Sequence, residues 1–268
     1  MSRAAGGQAE TEARRPTDIR SVLERACETG CPPRGSAEAR RCTRCGVRRF
    51  ALGAALTGPE VTDLEAIARR VKLPARTVIH QEGDPVTMLG TITSGMVRLS
   101  LSLPDGRRHI TDFLSTGDVI GLDGAKSHLL DAETVTPVEA CLFRVGDLER
   151  LVERYPHLKD RMLAFLRVDL RKAHLNQLVL SRLSPAEKVA AFLVAMAERA
   201  ERAGAARNPV HLPMTRADIA DHLGLTIETV SRTFTRLRKA GTIRLPAPGI
   251  VDVADWGGLD LLARARPA

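Results

Sequence analysis

Residues 214–241 read MTRADIADHLGLTIETVSRTFTRLRKAG. Thr215 stands where a short helix, TRADIADHL, needs an N-cap, and Gly224 stops that helix after nine residues. Thr226 caps a second helix, IETVSRTFTRLRKAG, which Gly241 ends. Between them Ile219, Leu223, Leu225, Val230, Phe234 and Leu237 carry the core spacing that a helix-turn-helix needs. The first turns of the second helix send Ile227, Glu228, Ser231 and Arg232 outward, where a major groove would meet them. An arginine there can bond both acceptors of a guanine, and a glutamate can accept from a cytosine amine. Arg236, Arg238 and Lys239 lie beyond, placed for phosphates. The ordinary alternative is a helical hairpin with surface charges, but caps, turn glycine, core spacing and groove residues here occur in one order.

Downstream, TIRLP and GIVDVAD read as two short strands across Ala247-Pro248-Gly249, a wing. Upstream, Ser184-Pro185-Ala186-Glu187 opens a helix with an N-cap, a proline at the first position and a capping-box glutamate. Before it, no Gly or Pro occurs between His157 and Ser184, which allows one helix of some 25 residues. Within it Leu163, Leu166, Leu170, Ala173, Gln177 and Leu180 alternate spacings of three and four, a coiled-coil seam of about two and a half heptads. The alternative is a helix packed on its own domain. So long a helix between two domains is hard to bury otherwise, which favours self-association.

Further back the texture changes. Glu82-Gly83-Asp84-Pro85, Ser94-Gly95, Pro104-Asp105-Gly106 and Thr116-Gly117-Asp118 separate short alternating or β-branched runs at spacings of about 10 to 12 residues, the pattern of a small antiparallel barrel or sandwich. LSLSLPDGRRHITDF reads as a hairpin. Val61, Leu64, Ile67, Ala68 and Val71 sit at helical spacing, so a helix is expected from Val61 to Val71, stopping near Leu73-Pro74. Residues 1–50 form an arm with 11 arginines against 6 acidic residues, its first 20 or so expected to be disordered.

The whole chain has 268 residues, 44% of them apolar, with a net charge of +8. That suits two domains and excludes a disordered chain. No stretch approaches the length of an apolar membrane span and no apolar signal segment opens the chain, so a cytoplasmic protein with no membrane partner is expected. The basic balance points weakly to nucleic acid. Five cysteines, an odd number, in a reducing compartment argue against a disulfide framework. Cys27, Cys31, Cys42 and Cys45 fall within 19 residues, whereas Cys141 stands alone. Clustered cytosolic thiols suggest metal or redox chemistry. No Gly-rich phosphate loop or nucleophile triad stands out, so an enzyme is not expected. His80, His109, His128 and His222 look scattered and either superficial or structural.

From about residue 60 to 255 the chain resembles the Crp/Fnr family of bacterial transcription regulators. HQEGDP, TSGMVRLSLSLPDGR and STGDVIGLDG carry the resemblance in the β-rich part, and MTRADIADHLGLTIETVSRTFTRLRKAG carries it most specifically. Its Glu-x-x-Ser-Arg, at Glu228, Ser231 and Arg232, is similar to that of the Fnr/FixK branch. The resemblance implies an α+β architecture: an arm over 1–50, a cyclic-nucleotide-binding-like β-roll sensor over 51–150, a dimerisation helix over 151–183 and a winged helix-turn-helix over 184–268. It implies a homodimer on double-stranded DNA, reading palindromes with TTGAT and ATCAA half-sites through Thr215, Thr226, Glu228, Ser231 and Arg232, and recruiting or blocking RNA polymerase, with activation the family default. Rolls of this kind often grip a cyclic phosphate with an arginine. From Gly117 to Cys141 this chain has only Lys126 as a cation, so no cyclic nucleotide is expected.

The branch senses oxygen with a cubane iron–sulfur cluster on four thiolates, three near the N-terminus and one in the roll. The resemblance sets Cys141, in VEACLFRV, at the roll ligand and Cys42-x-x-Cys45 at the opening of the N-terminal set. Where many members have the third cysteine, this chain has Gly53. Three readings stay open. A [4Fe–4S] cluster would use Cys42, Cys45, Cys141 and either Cys27 or Cys31. Zinc would take Cys27, Cys31, Cys42 and Cys45 and leave Cys141 as a small buried hydrophobe. Free or redox-active thiols would leave a regulator with no cofactor, as on the FixK side.

Overall fold

The computed structural model describes residues 45, 47–49, 51–124 and 126–263. Most of the arm, with Cys27, Cys31 and Cys42 and its expected disorder, lies outside the described residues. A 3-10 turn at Leu52–Ala55 leads into α1, Pro59–Ile67. Eight strands follow: β1 Arg69–Leu73, β2 Val78–His80, β3 Met88–Ser94, β4 Val97–Ser102, β5 Arg108–Leu114, β6 Val119–Ile120, β7 Asp131–Thr134 and β8 Val138–Arg144. They pair as two antiparallel sheets, β1-β8-β3-β6 and β2-β7-β4-β5, facing one another as a roll. Val71, Ile79, Ile92, Val97, Ile120 and Val138 fill the space between the sheets.

The helix expected from Val61 to Val71 is shorter in the structure. It ends at Ile67, because Ala68 is already extended, and the next five residues are β1. In Arg70-Val71-Lys72-Leu73 the buried side chains are Val71 and Leu73, two apart, which is strand periodicity. Val71 pairs with Ala140 of β8 rather than continuing the helical stripe. The hairpin through Pro104-Asp105-Gly106 forms as expected. Leu103 and Arg107 close it with a 2.7 Å hydrogen bond, and Gly106 takes the positive φ of 85° that the turn needs.

Two helices leave the roll, α2 at Val145–Arg154 and α3 at Pro156–Arg182. The latter is 27 residues long and, by its rise per residue, about 40 Å. Then α4, Pro185–Arg202, starts with the full Ser184–Glu187 capping box. The remaining elements are β9 Val210–His211, α5 Arg216–Leu223, α6 Ile227–Lys239, β10 Ile243–Ala247, β11 Ile250–Val253 and α7 Trp256–Ala263. The last three strands form one sheet, β10-β11-β9, around the exposed Ala247-Pro248-Gly249 turn. Ile219, Leu223, Val230, Phe234 and Leu237 are buried in the core of this part, and Leu225 is half-buried against it. Ile110 and Phe113 of β5 belong to the same core, so the roll plugs a hairpin into the helical part.

Candidate nucleic-acid interface

The path from sequence to interface begins at two caps. The Thr215 hydroxyl accepts from the Asp218 N–H at 3.1 Å, and Asp218 Oδ2 accepts from the Thr215 N–H at 3.0 Å and from its hydroxyl at 2.7 Å. Thr215 is exposed, but its hydroxyl is thereby committed to starting α5. Gly224 ends α5 in the left-handed conformation, φ 59° and ψ 45°, and Lys188 of α4 donates its ammonium to the Leu223 carbonyl at 3.1 Å. Thr226 then caps α6 by accepting from the Thr229 N–H at 3.2 Å.

With Val230, Thr233, Phe234 and Leu237 turned inward, α6 presents Ile227, Glu228, Ser231, Arg232, Arg236, Arg238 and Lys239 to solvent. Its own main-chain N–H, the Thr226 side chain and nearby Arg232 hold the Glu228 carboxyl below the usual range, so it is an acceptor at neutral pH. Acceptor and guanidinium therefore stand one helical turn apart on one open face, beside the positive N-terminal end of α6. Underneath, the Arg216 guanidinium covers the Phe234 ring at 3.4 Å.

The helical part is fastened to the roll by ion pairs that local pattern reading missed. Asp218 Oδ1 accepts from Arg98 of β4 at 2.8 Å and from Arg108 of β5 at 3.0 Å. Arg98 also reaches Glu133 at 2.7 Å, and Arg108 reaches Asp221 at 2.8 Å. Burial opposes ionisation of Asp218, but the Thr215 hydrogen bonds and the two guanidinium groups outweigh it and hold its carboxyl low. A second pairing ties α4 down: Arg199 meets Asp112 at 3.0 Å and Asp118 at 3.3 Å. His109 and His222 are structural here, with Nδ1 atoms 2.9 Å from the Asp221 and Ile110 carbonyls. His80 and His128 are neither scattered nor superficial, since their rings stack in the interior with centroids 3.5 Å apart. The capping pattern Thr-x-x-Asp at 215–218 was the one sequence signal that pointed to Asp218.

On α3, Leu163, Leu166 and Leu170 are 40, 42 and 59% exposed, and Ala173 and Gln177 are exposed with them. An apolar ridge of this kind on a single chain is an uncovered face. Leu180 departs from the rest of the seam: it is half-buried beside the α5–α6 turn, close enough that a Cβ on Gly224 would touch it at 3.4 Å.

Of the thiols, Cys141 is buried on β8 and Cys45 is half-buried within its electrostatic reach. Burial pushes the Cys141 thiol up, while the charge of Arg70, its partner in the β1–β8 register, opposes the rise. Gly53 is buried, and a Cβ there would meet Leu64 at 3.3 Å and Arg48 at 3.4 Å. Among the described residues no helix is long and apolar enough to cross a membrane.

Comparison with known proteins agrees with this architecture. Residues 70–155 match the cyclic nucleotide-binding domain and residues 187–262 the Crp-like helix-turn-helix domain. The nitrogen fixation regulation protein FixK of Bradyrhizobium diazoefficiens is 37% identical over 84% of this chain and 94% of its own. The transcriptional activator protein FnrL of Cereibacter sphaeroides is 31% identical over 82% of this chain and 90% of its own. Among solved structures, FixK2 from Bradyrhizobium japonicum superposes with a TM-score of 0.69 at 32% identity, covering 73% of this chain and 97% of that one. A β-roll, a long helix and a winged helix-turn-helix in this order, with relatives that regulate transcription rather than catalyse reactions, make the chain a member of the Crp/Fnr family of dimeric DNA-binding transcription regulators.

Proposed function

We propose that the protein binds TTGAT-N4-ATCAA-like palindromes as a homodimer, that Glu228, Ser231 and Arg232 read the bases, and that Cys45 and Cys141 connect this binding to redox state. In this reading 51–150 is the sensor, 151–183 supplies the dimer contact and 184–268 reads DNA. The observation that carries it is the open face of α6, where Glu228, Ser231 and Arg232 are exposed while Val230, Thr233, Phe234 and Leu237 behind them are buried. Arg236, Arg238 and Lys239 continue the same helix toward the backbone. Closing Leu163, Leu166 and Leu170 against a second copy would set two α6 helices one DNA turn apart, about 34 Å, as a palindrome requires. Activation through RNA polymerase belongs to the same proposal.

The thiols suit an iron–sulfur cluster in part. Cys45 and Cys141 lie within each other's electrostatic range, and Arg70 offers a cation for an anionic thiolate group. Cys42 and either Cys27 or Cys31 would complete four ligands. A [4Fe–4S] cluster bound there would supply an oxygen-labile link between the arm and β8. A second reading, a FixK-like regulator with no cofactor or with structural zinc, is favoured by Gly53, whose surroundings are filled by Leu64 and Arg48. With no cofactor Cys45 and Cys141 respond as thiols, whereas with zinc Cys45 is a ligand and Cys141 a small buried hydrophobe. The absence of arginine from Gly117 to Cys141 supports a roll that does not bind cyclic nucleotides.

Fluorescence anisotropy on a TTGAT-N4-ATCAA duplex and on a scrambled duplex tests the DNA reading. Equal affinity for the two, at matched salt, refutes it. Iron and sulfide analysis of protein prepared without air separates the redox readings: about four of each per chain supports the cluster, and zinc or no metal supports the alternative.

A further inference from the structure

The roll encloses a side-chain group that neither DNA reading nor the thiols use. His80 closes β2, and Asp123 and His128 lie in the connection from β6 to β7. Their side chains are 7, 8 and 5% exposed. The two imidazole rings stack 12° from parallel. Asp123 Oδ1 is 2.9 Å from His128 Nδ1 and 4.0 Å from His80 Nε2, and one donor atom from each residue falls within 4.8 Å of the others.

Three features distinguish this group from a packed polar core. Neither ring nitrogen of His80 has a partner in hydrogen-bonding geometry, although both are buried. A buried polar atom left unsatisfied is uncommon and costly, and here it faces a carboxylate. Next, Asp123 divides its oxygens. Oδ2 is held by the Leu129 and Leu130 N–H groups at 2.9 and 3.1 Å, while Oδ1 faces the two rings. Outer hydrogen bonds of that kind orient a ligating carboxylate. Lastly, a cavity of about 70 Å³ opens beside the rings, lined by His80, His128, Asp84, Gly90 and apolar side chains. At about 30 Å³ per water it admits two waters, and it is far too small for a haem or a nucleotide.

We propose that His80, Asp123 and His128 bind one divalent first-row transition-metal ion inside the roll, with open coordination positions on the small cavity. Two neutral imidazoles and one carboxylate are the donor set that such ions take while keeping positions for water or a small ligand. Metal–ligand bonds of about 2.0–2.2 Å set donors roughly 3 Å apart. His128 and Asp123 already stand at 2.9 Å, and His80 needs to approach by about 1 Å from its 4.0 Å. The ion would fix the β6–β7 connection to β2. Because β7 pairs with β4, which carries Arg98, occupancy would reach the ion pairs on Asp218.

The test uses the full chain with Cys27, Cys31, Cys42 and Cys45 changed to Ser, so that thiolates do not compete. It is stripped with chelator and titrated with Co²⁺ by calorimetry. The expected result is saturation at one ion per chain, a rise in the thermal midpoint, and affinity weakened at least about tenfold by His80→Gln or Asp123→Asn. Because His80→Gln also removes the ring stacked on His128, its metal-free midpoint is taken as its own baseline, and the Co²⁺-dependent rise above that baseline should be abolished. Should Asp123→Asn fail to fold, His80→Gln alone decides. Absence of Co²⁺ binding, or binding unaltered by His80→Gln, overturns the proposal.

Discussion

Asp218→Ala should destabilise the DNA-reading part by about 4 kcal/mol. The side chain is 3% exposed and accepts four hydrogen bonds, two from Thr215 and one each from Arg98 and Arg108. A charge-assisted bond contributes about 1.5–3 kcal/mol, and the low end applies because each arginine keeps a second carboxylate, Glu133 or Asp221. Two such bonds give about 3 kcal/mol, and the lost half of the capping box adds about 1. Asp218→Asn keeps an acceptor for Thr215 and removes only the charge, so about 2 kcal/mol is expected. Trp256, the single tryptophan, packs against the core of the helical part under Arg207, so its fluorescence in urea reports the relevant transition. A double-mutant cycle isolates the ion pairs: with Arg98→Met and Arg108→Met already present, Asp218→Ala should cost only the cap, about 1 kcal/mol. A cost for Asp218→Ala below about 1 kcal/mol in the parent chain, or an unchanged cost in the double-arginine background, would refute the reasoning.

Arg232→Ala should weaken binding to the intended palindrome about 5- to 100-fold and relax preference at one base pair, read by anisotropy on a panel of singly altered duplexes. Lys239→Ala should instead weaken all duplexes alike and reduce the slope of log affinity against log salt by about one. Leu166→Glu together with Leu170→Glu puts charge on the α3 ridge, so sedimentation should report monomers and palindrome affinity should fall with them. Gly224→Ala forces a side chain into the left-handed region beside Leu180, costing about 1–2 kcal/mol in urea unfolding. Burial lowers the affinity of folded His222 for a proton, with the Ile110 carbonyl and Asp112 only partly offsetting it. The unfolded chain therefore binds more protons below about pH 6.5, stability is lost as pH falls through that value, and His222→Gln should flatten this part of the profile.

The helix-turn-helix was legible because its determinants are local. Thr215, Gly224 and Thr226 act on neighbours within three or four residues, and the burial of Val230, Phe234 and Leu237 follows helical period alone. The roll was legible as a rhythm of turns, with Gly106 in its positive-φ position in the hairpin. What the sequence concealed depends on distance along the chain or on merged patterns. In β1, a five-residue alternation adjoins α1, and Val71 fits both periods. Arg98 and Asp218 meet across 120 residues and Arg108 and Asp221 across 113, so no window contains either pair. His80 and His128 likewise come together only because β2 and the segment before β7 are brought side by side.

One carboxylate, Asp218, both starts α5 and anchors it to the roll. Orientation of the reading head and integrity of its first helix are therefore the same equilibrium seen from two sides, and a signal that withdraws Arg98 and Arg108 would soften the helix it releases. The same economy limits modularity. A roll transplanted from a relative would work with this DNA-reading part only if it brought along guanidinium groups at the strand positions of Arg98 and Arg108, however faithfully the linker were copied.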